Sequence, residues 1–515
     1  MDCAAALCAA AAAAVVWYVV LFFRLRRRRR RRMSPPLPPG PTGLPVVGSL
    51  LSLPPELHLH FTELARTYGP IYRIRLGRKL AVVVSSPALA REVLRDNDLA
   101  MSAHDMPAVG RLYSYGGSDM LYSPVGPTWR MLRRICVREV LSPSSLDAAY
   151  GMWRREVRAA VRHLGASAGR EVEVGTQMFV TVLNVITSML WKDALEAGDG
   201  EDRGRVGREF RELMGEITEL IGQPNVSDLF PALARFDLQG KERKMARVME
   251  RLDGVFNSVI ERKRRKNKEA AEKGGEKDLL DHMLRLEEEG GDGKTPFTMA
   301  HVKALLTDIF VAGTETTSDT MEWAMAEMLL NPEIMRLAQL ELDQVVGRDD
   351  VVEDSHLPKL RYLGAVIKET LRLHPIVPLL IPHRPTETCT IGGYTVPKGS
   401  SVFLNAWAIH RDPSVWKDPL VFDPERFLGA DVGLDFNGSN FGYIPFGSGR
   451  RICAGIPVAE RMATYILATL LHSFDWTVPE GTLLDLTERF AVTMKMAKPL
   501  VAIPTPRLHN PEQYL

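Results

Sequence analysis

One cysteine, set in a loop of glycines and arginines just ahead of a helix, constrains this chain more than any other feature. The segment is Phe446-Gly447-Ser448-Gly449-Arg450-Arg451-Ile452-Cys453-Ala454-Gly455, and helical spacing resumes from Pro457. A buried cysteine is ordinarily an inert small hydrophobe. Here exposed backbone N–H groups and the charge of Arg450 and Arg451 favour the thiolate, the form that binds metals. Glycines also let a flat group lie close to the backbone. No histidine or cysteine neighbours Cys453, and the remaining cysteines (Cys3, Cys8, Cys136 and Cys389) form no CxxC pair. That spacing argues against a disulfide scaffold and a structural zinc site. A lone thiolate suits a metal most of whose positions a cofactor already fills. Haem iron is the obvious case, and an axial thiolate pushes electron density toward O–O cleavage.

A second feature is a long helix. Thr295-Pro296 sets a start and Asn331-Pro332 enforces a stop, with about 30 residues between them. At 1.5 Å per residue this helix is ~45 Å long and can cross a whole domain. Its centre is Ala312-Gly313-Thr314-Glu315-Thr316-Thr317, a run of low helix propensity. Small residues there permit close approach to the backbone, and threonine hydroxyls can bond a carbonyl one turn back.

Composition sets the frame for both. The chain has 515 residues, 45% hydrophobic and 25% charged, which suits a globular protein with a sizeable core and excludes bulk disorder. The net charge of +2 hides an asymmetry: residues 1–33 hold eight arginines against one acid, so the remainder is net negative. A basic nucleic-acid-binding body is therefore excluded. From Cys3 to Phe23 no residue is charged, and the arginines follow at Arg24 and Arg26 to Arg32. Such a run is long enough to span a bilayer, and the positive-inside rule leaves the body in the cytosol. Residues 1–32 thus read as a signal anchor with its basic stop, residues 33–45 as a stiff proline-rich hinge, and residues 46–515 as the functional domain.

Within that domain, residues 70 to 84 read as two strands joined at Gly77-Arg78-Lys79, and weaker strand signals lie at Thr390 to Val396 and Val402 to Leu404. Most of the rest has helical spacing, with breaks expected at Pro124 to Pro127 and at Pro143. Glu261 to Asp278 reads as a charged helix running into a Gly-rich loop and Glu287 to Lys294 as a second solvated loop, both exposed linkers. His58 and His60 are expected at the surface. His410-Arg411-Asp412 mimics a kinase catalytic loop, but Lys417 stands where its asparagine belongs. The fold class is mainly α with minor β.

The motifs resemble those of the cytochrome P450 family, of the plant microsomal type. Phe446, Gly449, Arg451, Cys453 and Gly455 match F-x-x-G-x-R-x-C-x-G. Glu369-Thr370-Leu371-Arg372 is similar to the E-x-x-R motif, Pro424-Glu425-Arg426-Phe427 to P-E-R-F, the 312–317 run to the oxygen-activating A-G-x-[DE]-T, and Trp129 with Arg133 to W-x-x-x-R. The resemblance covers almost the whole chain. It implies a large helical domain with a long central helix and a small β-rich subdomain, binding haem b with Cys453 as axial ligand. It places Trp129, Arg133, His383, Arg451, Phe446 and Gly447 around the haem, with Arg384 an alternative to His383 at a propionate. Glu315 and Thr316 become the proton-delivering pair, and Glu369, Arg372 and Arg426 a buried structural triad.

The implied activity is NADPH-dependent monooxygenation. Electrons are expected from a membrane-bound NADPH–cytochrome P450 reductase, dioxygen is the oxidant, and the location is the endoplasmic reticulum membrane with a single span. The pocket residues this resemblance suggests, Ile309, Val377, Leu379, Leu380 and Ala491, are apolar and favour a lipophilic plant metabolite. Terpenoids and flavonoids or other phenolics both fit, with terpenoids slightly preferred. The competing readings are a haem-thiolate isomerase or dehydratase, a non-catalytic haem-binding membrane protein, and a purely structural single-span protein.

Overall fold

The structure, a computed structural model, describes residues 35–191, 200–270, 278–291, 295–429 and 434–514, with isolated positions between 14 and 22. The expected signal anchor therefore lies largely outside the described residues. The elements used below run in chain order as α1 (Leu57–Tyr68), β1 (Ile71–Leu76), β2 (Lys79–Val84), β3 (Ala103–His104), α2 (Pro127–Ile135), α3 (Pro143–Ala166), α4 (Val174–Trp191), α5 (Gly200–Gly222) and α6 (Lys241–Ala270). They continue with α7 (Met299–Leu330), α8 (Pro332–Val345), α9 (Arg361–Leu373), β4 (His383–Arg384), β5 (Ser401–Leu404), α10 (Ile456–Ser473), β6 (Glu488–Phe490) and β7 (Met494–Met496).

The expected long helix is α7, which has 32 residues and so spans ~48 Å. It starts three residues later than the proline suggested, because Thr298 and His301 form a capping box that satisfies its first free amides. The expected breaks precede Pro127 and Pro143, at residues 118–126 and 141–142. Each proline sits in the first turn of a helix, where its missing N–H costs nothing. The charged helix expected from Glu261 is the last part of α6, which ends at Ala270, and residues 279–288 form another helix. The apolar helix α4 has a mean hydropathy of 1.4, yet 72% of it is buried. It is a core helix, packed against α7 along its length.

A five-stranded sheet with order β1-β2-β5-β4-β3 forms the small subdomain. β1 and β2 make the expected hairpin, β2 runs parallel to β5, and β5, β4 and β3 are antiparallel. The register places His104 opposite His383, two residues nearly 280 positions apart in the chain. The proline-rich segment is not a free spacer. Its extended backbone accepts Arg73 N–H at Pro39 (2.8 Å), the Arg73 guanidinium at Pro38 (2.9 Å) and Thr395 N–H at Pro36 (2.8 Å), so a chain that cannot donate amides is used as a string of acceptors. His58, expected at the surface, is buried: its Nε2 lies 2.8 Å from Glu488 on β6.

The triad forms as expected. Glu369 and Arg372, both wholly buried, make a fork-to-fork pair at 2.6 and 2.8 Å, and Arg426 reaches the same carboxylate at 3.3 Å. The remaining guanidinium protons of Arg372 go to the carbonyls of His410 (2.8 Å), Pro419 (2.8 Å) and Val421 (3.2 Å), while Arg426 takes Asp418 (2.9 Å). Two charged side chains thus fix the irregular backbone of residues 410–426 as no regular ladder could. Replacing Glu369 by alanine leaves buried guanidiniums without their carboxylate, a loss of about 3–5 kcal/mol. E369A is expected to give little folded protein, read by circular dichroism and thermal melting.

His410 beside this network accepts Ile444 N–H at Nε2 (2.9 Å). Burial, reinforced by Arg372 and Arg411, lowers its pKa to about 3. A proton bound there removes that acceptor. Because the folded value lies below the unfolded 6.5, its contribution is complete above pH 6.5 and is lost as pH falls toward 3, by about 1.4 kcal/mol per pH unit. Thermal melting of H410Q against the parent chain from pH 7 to 5 should show a shallower acid loss in the variant.

Candidate active site

The loop before α10 is built to present one sulfur. Gly447 and Gly449 have φ of 72° and 70°, and a Cβ on Gly449 would sit 2.4 Å from the Leu94 carbonyl, so glycine is required there. Cys453 N–H bonds back to Phe446 O at 3.0 Å, and Gly455 N–H points at Cys453 Sγ at 3.3 Å. The thiol opens onto a cavity while lying deep in the protein. Burial raises its pKa; the Gly455 and Ile456 amides and the charge of Arg133 pull it down. The arginines adjacent in sequence act differently from expectation. Arg450 turns outward to Asp98 (2.6 Å), and Arg451 serves the cavity edge. A bound metal ion would complete the shift to thiolate at Cys453, since coordination deprotonates a thiol outright.

Opposite Cys453 runs the middle of α7. Gly313 is small because Ile186 of α4 packs against it: an added Cβ would lie 2.9 Å from its Cδ1. Ala312, Thr316 and Thr317 face the cavity instead. Thr316 donates its hydroxyl proton to Ala312 O, as Thr314 does to Phe310 O (2.7 Å) and Thr320 to Thr316 O (2.7 Å). Glu315, next in sequence to Thr316, points elsewhere, since successive helical residues are about 100° apart. Its carboxylate accepts from Thr218 on α5 (3.0 Å) and pairs with Lys495 on β7 (2.5 Å), bordering an outer polar hollow that also holds Arg211 and Glu212. The structure separates the two members of the expected pair into different spaces.

A basic edge completes the cavity. Arg451 donates to Ser102 O (2.6 Å), Met120 O (3.0 Å) and Ser123 O (2.5 Å), and Trp129 Nε1 to Met120 O (3.2 Å). Arg133 donates to Ile452 O (2.8 Å), and both guanidiniums lie over the Trp129 ring, at 5.6 and 5.0 Å. Burial lowers the Arg451 pKa to about 10. His383 bonds Met101 O through Nδ1 (2.7 Å) and meets His104 edge-on at 5.2 Å; both are held below the usual imidazole range, chiefly by burial. Arg384 does not share this position. It is exposed, because neighbouring strand residues face opposite sides. Phe446 and Gly447 line the same space.

Two features, His104 and Lys495, escaped sequence reasoning, while Asp308, expected from the family resemblance to line the pocket, does so. His104 reaches the site only through its cross-strand partner. Asp308 on α7 accepts Tyr113 OH (2.9 Å) and Met120 N–H (2.7 Å), fixing the segment whose carbonyls receive Arg451; burial and neighbouring Asp119 push its pKa well up. Lys495, the partner of Glu315, has no local signature at all. Of the suggested pocket residues, Ile309, Val377 and Leu380 line the cavity. Leu379 instead packs against Phe61 and Tyr72, and Ala491 faces a neighbouring hollow.

The donor set fits a flat metallocofactor with acidic edges. Cys453 faces the cavity alone; among the described residues no cluster of metal-binding side chains exists. Arg133 and Arg451 line one rim with guanidinium donors suited to carboxylates, while Trp129, His104 and His383 give their N–H groups to backbone carbonyls and shape the same rim. Haem b meets these requirements, and Cys453 Sγ would hold its iron.

A haem-thiolate site under a long central helix defines a class of oxygen-activating enzymes, and comparison with known proteins agrees. The family model for cytochrome P450 matches residues 38–502. A flavonoid 3'-monooxygenase of Crocosmia x crocosmiiflora is 40% identical over 483 residues, covering 92% of this chain and 94% of the relative. Geraniol 8-hydroxylase of Swertia mussotii is 39% identical over 475 residues, covering 91% and 94%. A zebra fish cytochrome P450 structure with abiraterone superposes with a TM-score of 0.73 at 28% identity, covering 89% of this chain and all of that one. The chain belongs to the cytochrome P450 family. It is a haem-dependent monooxygenase, and so takes dioxygen, a lipophilic substrate and electrons from a redox partner.

Replacing Cys453 by alanine removes the axial sulfur. C453A is expected to lose the ferrous–carbon monoxide band that gives the family its name, measured by difference spectroscopy on whole microsomes.

Proposed function

We propose that this enzyme hydroxylates a lipophilic plant secondary metabolite, a terpenoid or a flavonoid, with electrons from a membrane-bound NADPH–cytochrome P450 reductase. The observation that carries the reading is the cavity between Cys453 and Thr316, about 280 Å³ and mostly apolar, which suits a hydrophobic ligand. Relatives named for flavonoid and for geraniol hydroxylation support the substrate range. Bound haem supplies the oxidising chemistry. This chain orients the substrate against α7 and supplies protons. Thr316 keeps its hydroxyl at the cavity wall with lone pairs free. Glu315 stands at the solvent side, where Lys495 and Thr218 hold it. Lys495 would pass a proton to the Glu315 carboxylate and be reprotonated from the outer hollow, and rotation of the neutral Glu315 side chain would carry that proton to the Thr316 side, a general-acid relay. Trp129, Arg133, Arg451 and His383 hold the haem edge.

Location follows the same reading: residues 1–32 as anchor, 33–45 as connection, and the body on the cytosolic face of the endoplasmic reticulum. An exposed apolar surface next to the proline strap supports it. Val46 and Leu51 stand beside Leu233, Phe236 and Leu238, all exposed, and the β1–β2 turn links the two groups through Gly77 N–H to Val47 O (3.0 Å) and Arg78 N–H to Leu229 O (3.0 Å).

The test is expression of the full chain with a plant reductase in yeast microsomes, screening terpenoids and flavonoids first for spectral shifts and then for products. One class should give both; absence of either signal from every member of both classes overturns the reading. In the active system T316A should consume NADPH at a similar rate with product reduced at least severalfold. Coupling equal to the parent's would remove Thr316 from the relay.

A further inference from the structure

One face of α7 carries three acids in a row. Glu315, Asp319 and Glu322 stand at i, i+4 and i+7, and all are buried. Such spacings make neighbours on a helix surface, with Cβ atoms about 5–6 Å apart. The two outer acids are held. Glu315 has Thr218 (3.0 Å) and Lys495 (2.5 Å), and Glu322 accepts Leu500 N–H (2.9 Å). Asp319 between them is 4% exposed, and its Oδ2 is buried without a hydrogen-bond partner. Leaving a buried polar group unpaired is costly, and leaving a buried charge unpaired far more so.

The charges around Asp319 decide which form it takes. Lys495 on β7 and Arg211 on α5 act on it as cations, and Glu315 and Glu322 as anions. α4, packed along α7, contains no charged residue. Burial, with the two acids adding to it, holds the Asp319 carboxyl well above the usual carboxylate range against the pull of Lys495 and Arg211. While Lys495 is paired with Glu315, Asp319 is thus a neutral acid with a proton to give.

A relay through Lys495 has a use for that proton. Once Lys495 has protonated Glu315 and the Glu315 side chain turns away, the lysine is a neutral amine. Taking a proton from solvent would then make it a cation without a paired carboxylate. We infer that Asp319 is the alternate counterion of Lys495, a positioning residue that acts through Lys495 and Glu315. Its O–H proton passes to the Lys495 amine, so one O–H bond breaks, one N–H bond forms and no electron is transferred. A lysine–Asp319 ion pair replaces the lysine–Glu315 pair, and the number of buried charges stays constant. When Glu315 returns as a carboxylate, a proton drawn through the outer hollow neutralises Asp319. This rests on the functional reading above and adds to its relay a second acid, with an ion pair that changes partner.

The first measurement needs no substrate. Infrared spectra of the full-length haem-loaded protein are compared for the parent, D319N and E315Q. The parent should show a carbonyl stretch of a protonated carboxylic acid, moving in heavy water, that D319N lacks. E315Q frees Lys495 to pair with Asp319, so the same band should be lost there too. A band kept in E315Q, or no band lost in D319N, overturns the inference. If D319N gives no ferrous–carbon monoxide band and so has not folded, E315Q decides alone by the same rule. With reductase and a substrate that turns over, D319N should form about three- to tenfold less product per NADPH than the parent, and the deficit should widen as pH rises and solvent protons become scarce. Coupling equal to the parent's at every pH also overturns the inference. Failure of every terpenoid and flavonoid to turn over would instead sink the functional reading and leave the infrared result standing.

Discussion

Presentation of the sulfur depends on one carboxylate shared by two arginines where no water can reach it. Glu369 and Arg372 come from a single helix, so their pairing is nearly prearranged. Arg426 arrives from more than fifty residues away. Once all three meet, their remaining protons are committed to the carbonyls of residues 410, 418, 419 and 421. That stretch has almost no regular structure, so these bonds are what gives it a single shape. His410 then fixes Ile444, and Ile444 accepts from Gly447 at the start of the cysteine loop. A short chain of specific bonds thus runs from a buried ion pair to the metal-binding residue. Buried ion pairs are weak stabilisers against an apolar alternative; this one earns its place by fixing a backbone.

The cavity follows a different logic, in which each wall is placed by an element from elsewhere in the chain. α4 presses Ile186 onto Gly313 and so sets how close the wall of α7 comes. Asp308 gathers Tyr113 and Met120, and Met120 in turn receives Trp129 and Arg451. Positive charge at the cavity edge is thereby held by neutral carbonyls, and the guanidiniums keep donors for an acidic partner. Glu315 and Thr316, consecutive residues, face two sides of the helix, one toward Thr218 and Lys495 and one toward the cavity.

Much of this was legible in the sequence where meaning is carried by neighbours in the chain. Cys453 within its glycines, Glu369 with Arg372, and Ala312 to Thr317 are short patterns whose spacing already states their geometry. The β1–β2 hairpin was readable for the same reason. What escaped depends on long-range pairing. His104 joins His383 through strand register, Lys495 finds Glu315 through a hairpin, and His58 is buried because β6 brings Glu488 to it. Helix limits shifted where capping overrode proline, as at Thr298. Arg450 and Arg451 misled because adjacency in a tight turn sends side chains in different directions.

The proline strap has a mechanical consequence. Pro36 is bonded to Thr395, and Pro38 and Pro39 to Arg73 of β1, so the strap is held at both of its ends. A tether attached rigidly transmits torque, whereas a slack one transmits only tension. The strap from Pro35 to Pro39 is therefore seated on the body and cannot swing as a loose chain.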